Sequence, residues 1–242
     1  MHNVSFLDLI YKCWRLKKYM ADFRRYLAEC IGTFSLTFIG AGAVLAQGIT
    51  GGAVSLVGIA LAHGLVLMAM IYSLAHISGA HFNPAVTIAM FVNKRIQLMD
   101  AIKYIISQLI GASIAGFLLL FLFPTATAAQ LYGFPTNLAL GFGIVFEAIL
   151  TFFLVFVIYG VAVNKQAPSG IFGFAIGSVL IFDILMGGTQ TGAAMNPARA
   201  FGPALASGIW GPQLIYWIGP IVGALVASFV YGYLFLEDDK KK

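Results

Sequence analysis

Two Asn-Pro-Ala triplets are the residues of this sequence whose types and spacing are best suited to chemistry. They are Asn83-Pro84-Ala85 and Asn196-Pro197-Ala198, and Arg199 follows the second directly. Asparagine is a good helix N-cap and proline is tolerated at the first helical position, so each triplet predicts a helix start. Each helix can run for about ten residues before Asn93 or Gly208, which is roughly 15 Å, or half of a ~30 Å hydrocarbon core. The triplets therefore predict two half-helices rather than two membrane spans.

The chemistry of such a pair is electrostatic. If the half-helices meet N-terminus to N-terminus, their positive dipole ends repel any cation at the centre of the bilayer. Amide donors from Asn83 and Asn196 would both bind a passing water molecule, which interrupts a proton-conducting water wire. Non-helical backbone is tolerated at this depth only where it lines a wet cavity, so the loops before the asparagines predict pore-lining carbonyls. These residues are Gly79, Ala80, His81 and Phe82 in the first loop and Gly192, Ala193, Ala194 and Met195 in the second.

The composition indicates that such loops would lie inside a membrane. The 242 residues are 60% hydrophobic and 10% charged, which is more apolar surface than a soluble domain can bury. The apolar segments are long and do not alternate with polar residues, so we predict an all-α membrane protein and not a barrel. The net charge of +5 is explained by the positive-inside rule, and no nucleic-acid partner is predicted. Two cysteines, Cys13 and Cys30, indicate neither a disulfide framework nor a metal site.

Six spans are predicted around the two half-helices. Their ranges are 28–45, 53–74, 102–123, 138–161, 171–186 and 214–234. The positions of lysine and arginine place both termini in the cytoplasm, so the first half-helix re-enters from the cytoplasm and the second from outside. We predict a basic amphipathic segment at 1–24 on the cytoplasmic interface, one channel domain at 25–236 and a charged cytoplasmic tail at 237–242. No cleavable signal peptide is predicted.

The two halves of the domain, about 25–125 and 137–236, repeat each other. Glu29 lies at the start of the first span and Glu147 near the start of the fourth, and the run 108–111 recurs as 216–219, which pairs Gly111 with Gly219. Because three spans separate the copies, the repeat is inverted about an axis in the membrane plane. Carboxylates inside a membrane can indicate an ion pathway. The symmetric placement of Glu29 and Glu147 favours another role, in which each accepts hydrogen bonds from a re-entrant loop.

The chain resembles the aquaporin, or major intrinsic protein, family from about residue 24 onward. The motifs that carry the resemblance are 28–29 with 32–33, the run 78–87, and 195–199 with 201–203. The resemblance implies an aquaporin-like fold of six transmembrane helices plus two re-entrant half-helices in an inverted repeat. It also implies a pore in each subunit of a homotetramer in the lipid bilayer, water and small neutral solutes as permeants, and no cofactor.

A four-residue filter near the outer mouth of the pore sets solute size and polarity in that family. His63 lies twenty residues before Asn83, and Ile184 and Ala193 lie fifteen and six residues before Arg199, which matches the spacing of the filter positions. The set resembles that of the plant tonoplast intrinsic proteins rather than that of a strict water or glycerol channel. Ile184 and Ala193 should widen the constriction, so ammonia, urea or glycerol are expected beside water.

Three alternatives stay open at this stage. A glycerol or urea facilitator is one, although glycerol channels carry an aspartate and a basic residue where this chain has Ala200 and Ala204. A secondary transporter is another, because inverted repeats with broken helices are common among transporters. His63 alone would more often be a packed core histidine. An enzyme is not predicted, since no nucleophile-base pair, metal cluster or phosphate loop is evident.

Overall fold

The computed structural model describes residues 6–236, with the side chains of residue 20 and of residues 22–236. Its first helix, α1, is Phe6–Ile49, a continuous helix of 44 residues, of which Asp22–Ile49 is apolar enough to span a membrane. The predicted basic segment is therefore continuous with the first span from residue 6 onward. Its position relative to the bilayer stays a prediction. The side chain of Cys13 and the tail at 237–242 lie outside the described residues.

The other helices follow the predicted order. They are α2 (Ser55–Ser78), α3 (Pro84–Val92), α4 (Leu98–Leu122), α5 (Ala128–Tyr132), α6 (Leu140–Ile158), α7 (Phe172–Gly187), α8 (Pro197–Ser207) and α9 (Gln213–Leu234), and a π-turn at Tyr159–Val163 continues α6. Five helical segments in the described range are long and apolar enough to cross a membrane, and α7 is a shorter apolar helix of 16 residues. The predicted all-α membrane fold is confirmed, and α7, which lies at the predicted fifth span, is only about 24 Å long.

The two half-helices begin and end where the sequence predicts. Helix α3 has 9 residues and α8 has 11. Each has its asparagine at the N-cap and its proline at the first helical position. Helix α8 ends at Gly208, whose φ of 76° lies in the left-handed region that glycine adopts without strain. Local capping chemistry therefore accounts for the starts of both half-helices and for the end of α8.

The repeat is present, but its predicted register in the third and sixth spans is wrong by one helical turn. A Cβ at Gly111 would overlap the carbonyl oxygen of Cys30, and a Cβ at Gly223 would overlap the carbonyl oxygen of Ala148. Cys30 and Ala148 directly follow the two repeated glutamates. The glycine that corresponds to Gly111 is therefore Gly223 and not Gly219. Short sequence matches missed this register because helix crossing, which only the fold reveals, decides where glycine is needed.

The connection at 123–139 contains an element that we did not predict. Thr127 and Gln130 form a capping box that begins α5, and Gly133 ends it with a φ of 70°. This short helix places the buried side chains Tyr132 and Phe134 against Tyr216 of α9, with ring centroids of Phe134 and Tyr216 4.6 Å apart. An apparent surface loop thus contributes two aromatic rings to the interior.

Candidate functional site

The two triplet asparagines hold the half-helices and each other's loops. Asn83 Oδ1 accepts from the backbone N–H of Ala85 at 2.9 Å, and Asn196 Oδ1 accepts from Ala198 at 3.0 Å. Their amide nitrogens cross over. Asn83 Nδ2 donates to the carbonyl of Met195, and Asn196 Nδ2 donates to the carbonyl of Phe82, both at 2.8 Å. Because each amide nitrogen carries two hydrogens, one N–H on each asparagine remains to face the cavity that both residues line.

The loops before the asparagines have the same unusual backbone. Gly79 and Gly192 both have a φ of 86°, where glycine is unstrained. Four residues with side chains also have positive φ, and they are Ala80 (52°), Phe82 (49°), Ala193 (45°) and Met195 (50°). Such residues are strained and persist only where surrounding contacts determine the conformation. The loops therefore need strong external support.

Glu29 supplies that support in the first half. Its Oε1 accepts from Ser78 Oγ at 2.6 Å and from the backbone N–H of His81 at 3.0 Å. Its Oε2 accepts from the backbone N–H of Phe82 at 2.7 Å and from Gln108 Nε2 at 2.8 Å. The side chain is fully buried, and these four donors surround it.

Glu147 makes the matching contacts in the second half. Its Oε1 accepts from Thr191 Oγ1 at 2.6 Å and from the backbone N–H of Ala194 at 3.0 Å, and its Oε2 accepts from Met195 at 2.7 Å. The structure records no counterpart of Gln108 for this carboxylate. These contacts are those that the expected loop-supporting role requires.

Two tyrosines and a glutamine complete the support, and the sequence reasoning missed all three. Tyr104 donates to the carbonyl of Ser78 and Tyr216 donates to the carbonyl of Thr191, each at 2.7 Å. Gln108 reaches both Glu29 and, at 3.0 Å, Thr87 Oγ1. The available signal was a polar side chain at equivalent depth in spans three and six, but the incorrect repeat register concealed it.

His63 and Arg199 are in direct contact. Arg199 donates from Nε and Nη2 to His63 Nε2 at 3.3 and 3.1 Å. Since the other ring nitrogen, Nδ1, donates to the carbonyl of Ile59 at 2.8 Å, the imidazole is the neutral tautomer with its proton on Nδ1. The guanidinium also lies 4.3 Å from the ring centroid of Phe134. Its remaining nitrogen, Nη1, is buried and has no hydrogen-bond partner among the described residues, so its donors are unused.

A cavity of about 500 Å³ runs from His63 and Arg199 to the ends of α2, the π-turn and α7. Ala193 borders it beside these two residues, whereas Ile184 is buried and does not border it. Of the predicted carbonyl residues, Gly192 and Met195 do not border it either, and the other six do. His81 lines the cavity as expected, and so does His76. The remaining lining residues are mostly aliphatic.

Asp183 of α7 is a third buried carboxylate, which the sequence reasoning did not single out. Its side chain is 2% exposed, and its Oδ2 has no hydrogen-bond partner among the described residues. It does not line the cavity. This carboxylate is therefore outside the solute path that the other residues outline.

Comparison with known proteins places the chain beside membrane channels. The family model described as major intrinsic protein matches residues 16–231. A maize protein named aquaporin TIP4-4 is 39% identical over 219 residues, which cover 88% of this chain and 87% of that protein. Soybean nodulin-26 is 40% identical over 215 residues, covering 89% of this chain and 79% of that protein. These two relatives match at nearly the same identity, so identity does not place the chain with one rather than the other.

A solved structure has the same fold. The crystal structure of the aquaglyceroporin from Plasmodium falciparum has a TM-score of 0.75 and 28% sequence identity. The match covers 88% of this chain and 96% of that protein.

Proposed function

Since the chain belongs to the major intrinsic protein family, whose members are channels and not enzymes, we propose that it conducts water and small neutral solutes passively and excludes ions and protons. The observation that carries this proposal is the crossed pair of capping asparagines. Asn83 and Asn196 begin two half-helices whose N-termini approach each other, and both line one cavity. The two positive dipole ends oppose cation entry, and the free amide hydrogens orient a water molecule away from a proton-conducting chain.

The proposed filter consists of His63, Ile184, Ala193 and Arg199, of which Ile184 is proposed from its spacing and does not border the cavity. Arg199 supplies a fixed positive charge and, through Nη1, a donor for a passing solute. Ala193 leaves room beside this donor, and the aliphatic wall of the cavity binds no water strongly. The permeants proposed from these features are water and ammonia. The pore-lining carbonyls proposed are those of the two loops, although the carbonyls of Phe82 and Met195 already accept from the asparagines.

A glycerol or urea facilitator is the second candidate function. The likeness to a protein titled an aquaglyceroporin favours it, as does the small side chain of Ala193 in the constriction. Ala200 and Ala204 favour water instead. We further propose that the chain forms a homotetramer with one pore per subunit and that both termini are cytoplasmic. Residues 1–24 are proposed to lie at that interface, where residues 6–24 are the first part of helix α1.

Stopped-flow light scattering of proteoliposomes tests the proposal. We expect osmotic water flux above that of empty liposomes, ammonia flux in the same vesicles, and no ion current in a voltage-clamped bilayer. Ala162→Trp, which adds an indole at a cavity-lining position, should block the flux, whereas Ala139→Trp at an exposed position outside the cavity should not. Proton or potassium current, or solute flux that requires an ion gradient, would contradict the proposal.

A further inference from the structure

A polar pocket of about 490 Å³ lies outside the solute path, where the span of α1 begins. Three elements supply its charged side chains. Asp22 and Arg25 come from α1, Arg95 from the connection after α3, and Asp100 and Lys103 from α4. We call this end of the helix bundle the basic face, defined by Arg25, Lys94, Arg95 and Lys103.

One cation of the pocket is already neutralised. Arg25 forms an ion pair with Asp100 at 3.3 Å, and Tyr26 donates to the same carboxylate at 2.7 Å. Arg25 also donates from Nε to the hydroxyl of Tyr104 at 3.1 Å, and that hydroxyl supports the loop of Asn83 through Ser78. Arg25 and Asp100 therefore form the wall of the pocket and leave no charge to be balanced.

The other two cations have no carboxylate partner among the described residues. Neither Arg95 nor Lys103 is in an ion pair there, whereas Arg25 is paired with Asp100. Lys103 Nζ lies 5.3 Å from the ring centroid of Tyr26, and the guanidinium of Arg95 lies 5.9 Å from that of Tyr159. Both are exposed, and Asp22 is the remaining acid of the pocket. Two cations and one carboxylate leave a net positive charge, which selects for an anion.

The surface beside the pocket is suited to lipid chains. Met99, Ile102 and Ile106 are 61%, 41% and 51% exposed. Their spacing of three and four residues places them on the face of α4 that also carries Lys103. A ligand whose charged group lies between Arg95 and Lys103 would thus meet an apolar strip that leads into the bilayer.

We propose that this pocket binds the phosphate group of an anionic phospholipid. Arg95 and Lys103 donate to the phosphate oxygens, and the acyl chains lie along Met99, Ile102 and Ile106. A phospholipid would contact both the two cations and the adjacent apolar strip, whereas a free phosphate would contact only the cations. Because the wall of the pocket is hydrogen-bonded through Tyr104 to the loop of Asn83, bound lipid also raises the thermal stability of the fold.

The test uses the purified full chain in a neutral detergent. The thermal unfolding midpoint is titrated with phosphatidylglycerol and with phosphatidylcholine of the same acyl chains, and bound lipid is counted by native mass spectrometry. Phosphatidylglycerol should bind and stabilise more strongly than phosphatidylcholine. Arg95→Gln and Lys103→Gln should each weaken phosphatidylglycerol binding about fivefold, which corresponds to ~1 kcal/mol per basic side chain near a lipid surface.

Lys94→Gln is the matched control, because Lys94 is an exposed cation next to Arg95 that does not line the pocket. Its phosphatidylglycerol affinity should stay within a factor of two. If Lys94→Gln weakens binding as much as Lys103→Gln does, the attraction is a general surface effect and the proposal fails. It also fails if inorganic phosphate alone produces the full stabilisation. These readouts do not depend on solute flux, so they separate this proposal from the proposed channel function.

Discussion

Replacing His63 by phenylalanine and by alanine separates two ways in which this residue could limit solute size. In the structure, His63 Nε2 accepts from Nε and Nη2 of Arg199, so the histidine competes with a passing solute for these donors. His63→Phe removes the acceptor and keeps a ring of similar size. His63→Ala removes both the acceptor and the ring.

The size of the competition effect follows from the hydrogen bonds. A bond to a charged group contributes about 1.5–3 kcal/mol, and each ~1.4 kcal/mol removed from a barrier is a tenfold change in rate. Both donors share one acceptor atom, so the lower part of this range applies. We expect the urea-to-water permeability ratio to rise about tenfold in His63→Phe, and further in His63→Ala because the lumen also widens.

The assay is stopped-flow light scattering of proteoliposomes under urea and sucrose gradients, with protein content and thermal stability matched. Leu65→Phe is the control, because Leu65 lies two residues further along α2 with a side chain that is 53% exposed. A rise in His63→Ala without one in His63→Phe would refute the competition argument and leave width as the cause. An unchanged ratio in both folded variants would refute the assignment of His63 to the filter.

Three further predictions concern buried positions. Glu147→Gln should lower the free energy of unfolding by about 1–3 kcal/mol more than Glu29→Gln does. In each variant the new amide group is a buried donor that needs an acceptor, and only Glu29 has a neighbouring glutamine, Gln108, that can flip to accept from it. Denaturant titration compares the two free energies. Asp183→Asn should leave water flux within twofold of that of the unaltered protein at every pH. A loss of water flux in stopped-flow traces, or a changed dependence of that flux on pH, would place this carboxyl group in the solute path. Gly111→Ala should destabilise the fold by about 1–3 kcal/mol through overpacking. Gly141→Ala should not, because there is open space around Gly141. Equal thermal midpoints of the two variants would contradict this prediction.

The half-helices could be predicted because their signals are local. Asn83 and Asn196 cap the helices that follow them through contacts two or three residues away, and the prolines act at the same positions. Glu29 and Glu147 could be interpreted because their placement is symmetric in the sequence. The role of such residues can be predicted from the residues next to them in the sequence or from their matching positions in a repeat.

Other parts of the site depend on contacts between distant segments. Gln108 reaches Glu29 across 79 residues, and Phe134 lies under Arg199 only because α5 turns the chain inward. Ile184 satisfies the spacing of a filter position, yet it does not border the cavity that His63, Ala193 and Arg199 line. Spacing fixes where a residue lies along a helix, whereas the rotation of that helix in the bundle decides which surface the side chain faces.

The crossed asparagine contacts have a consequence for the synthesis of the chain. Asn83 donates to a carbonyl that is 112 residues further along, so at 5–20 residues per second this acceptor emerges from the ribosome roughly 6–22 s after its donor. During that interval the first loop is held by partners from its own half, since every donor to Glu29 lies between Ser78 and Gln108. The donors to Glu147 likewise all come from the second half. Each half can therefore shape its own loop during translation, and the two crossed amide bonds join them once the second half is inserted.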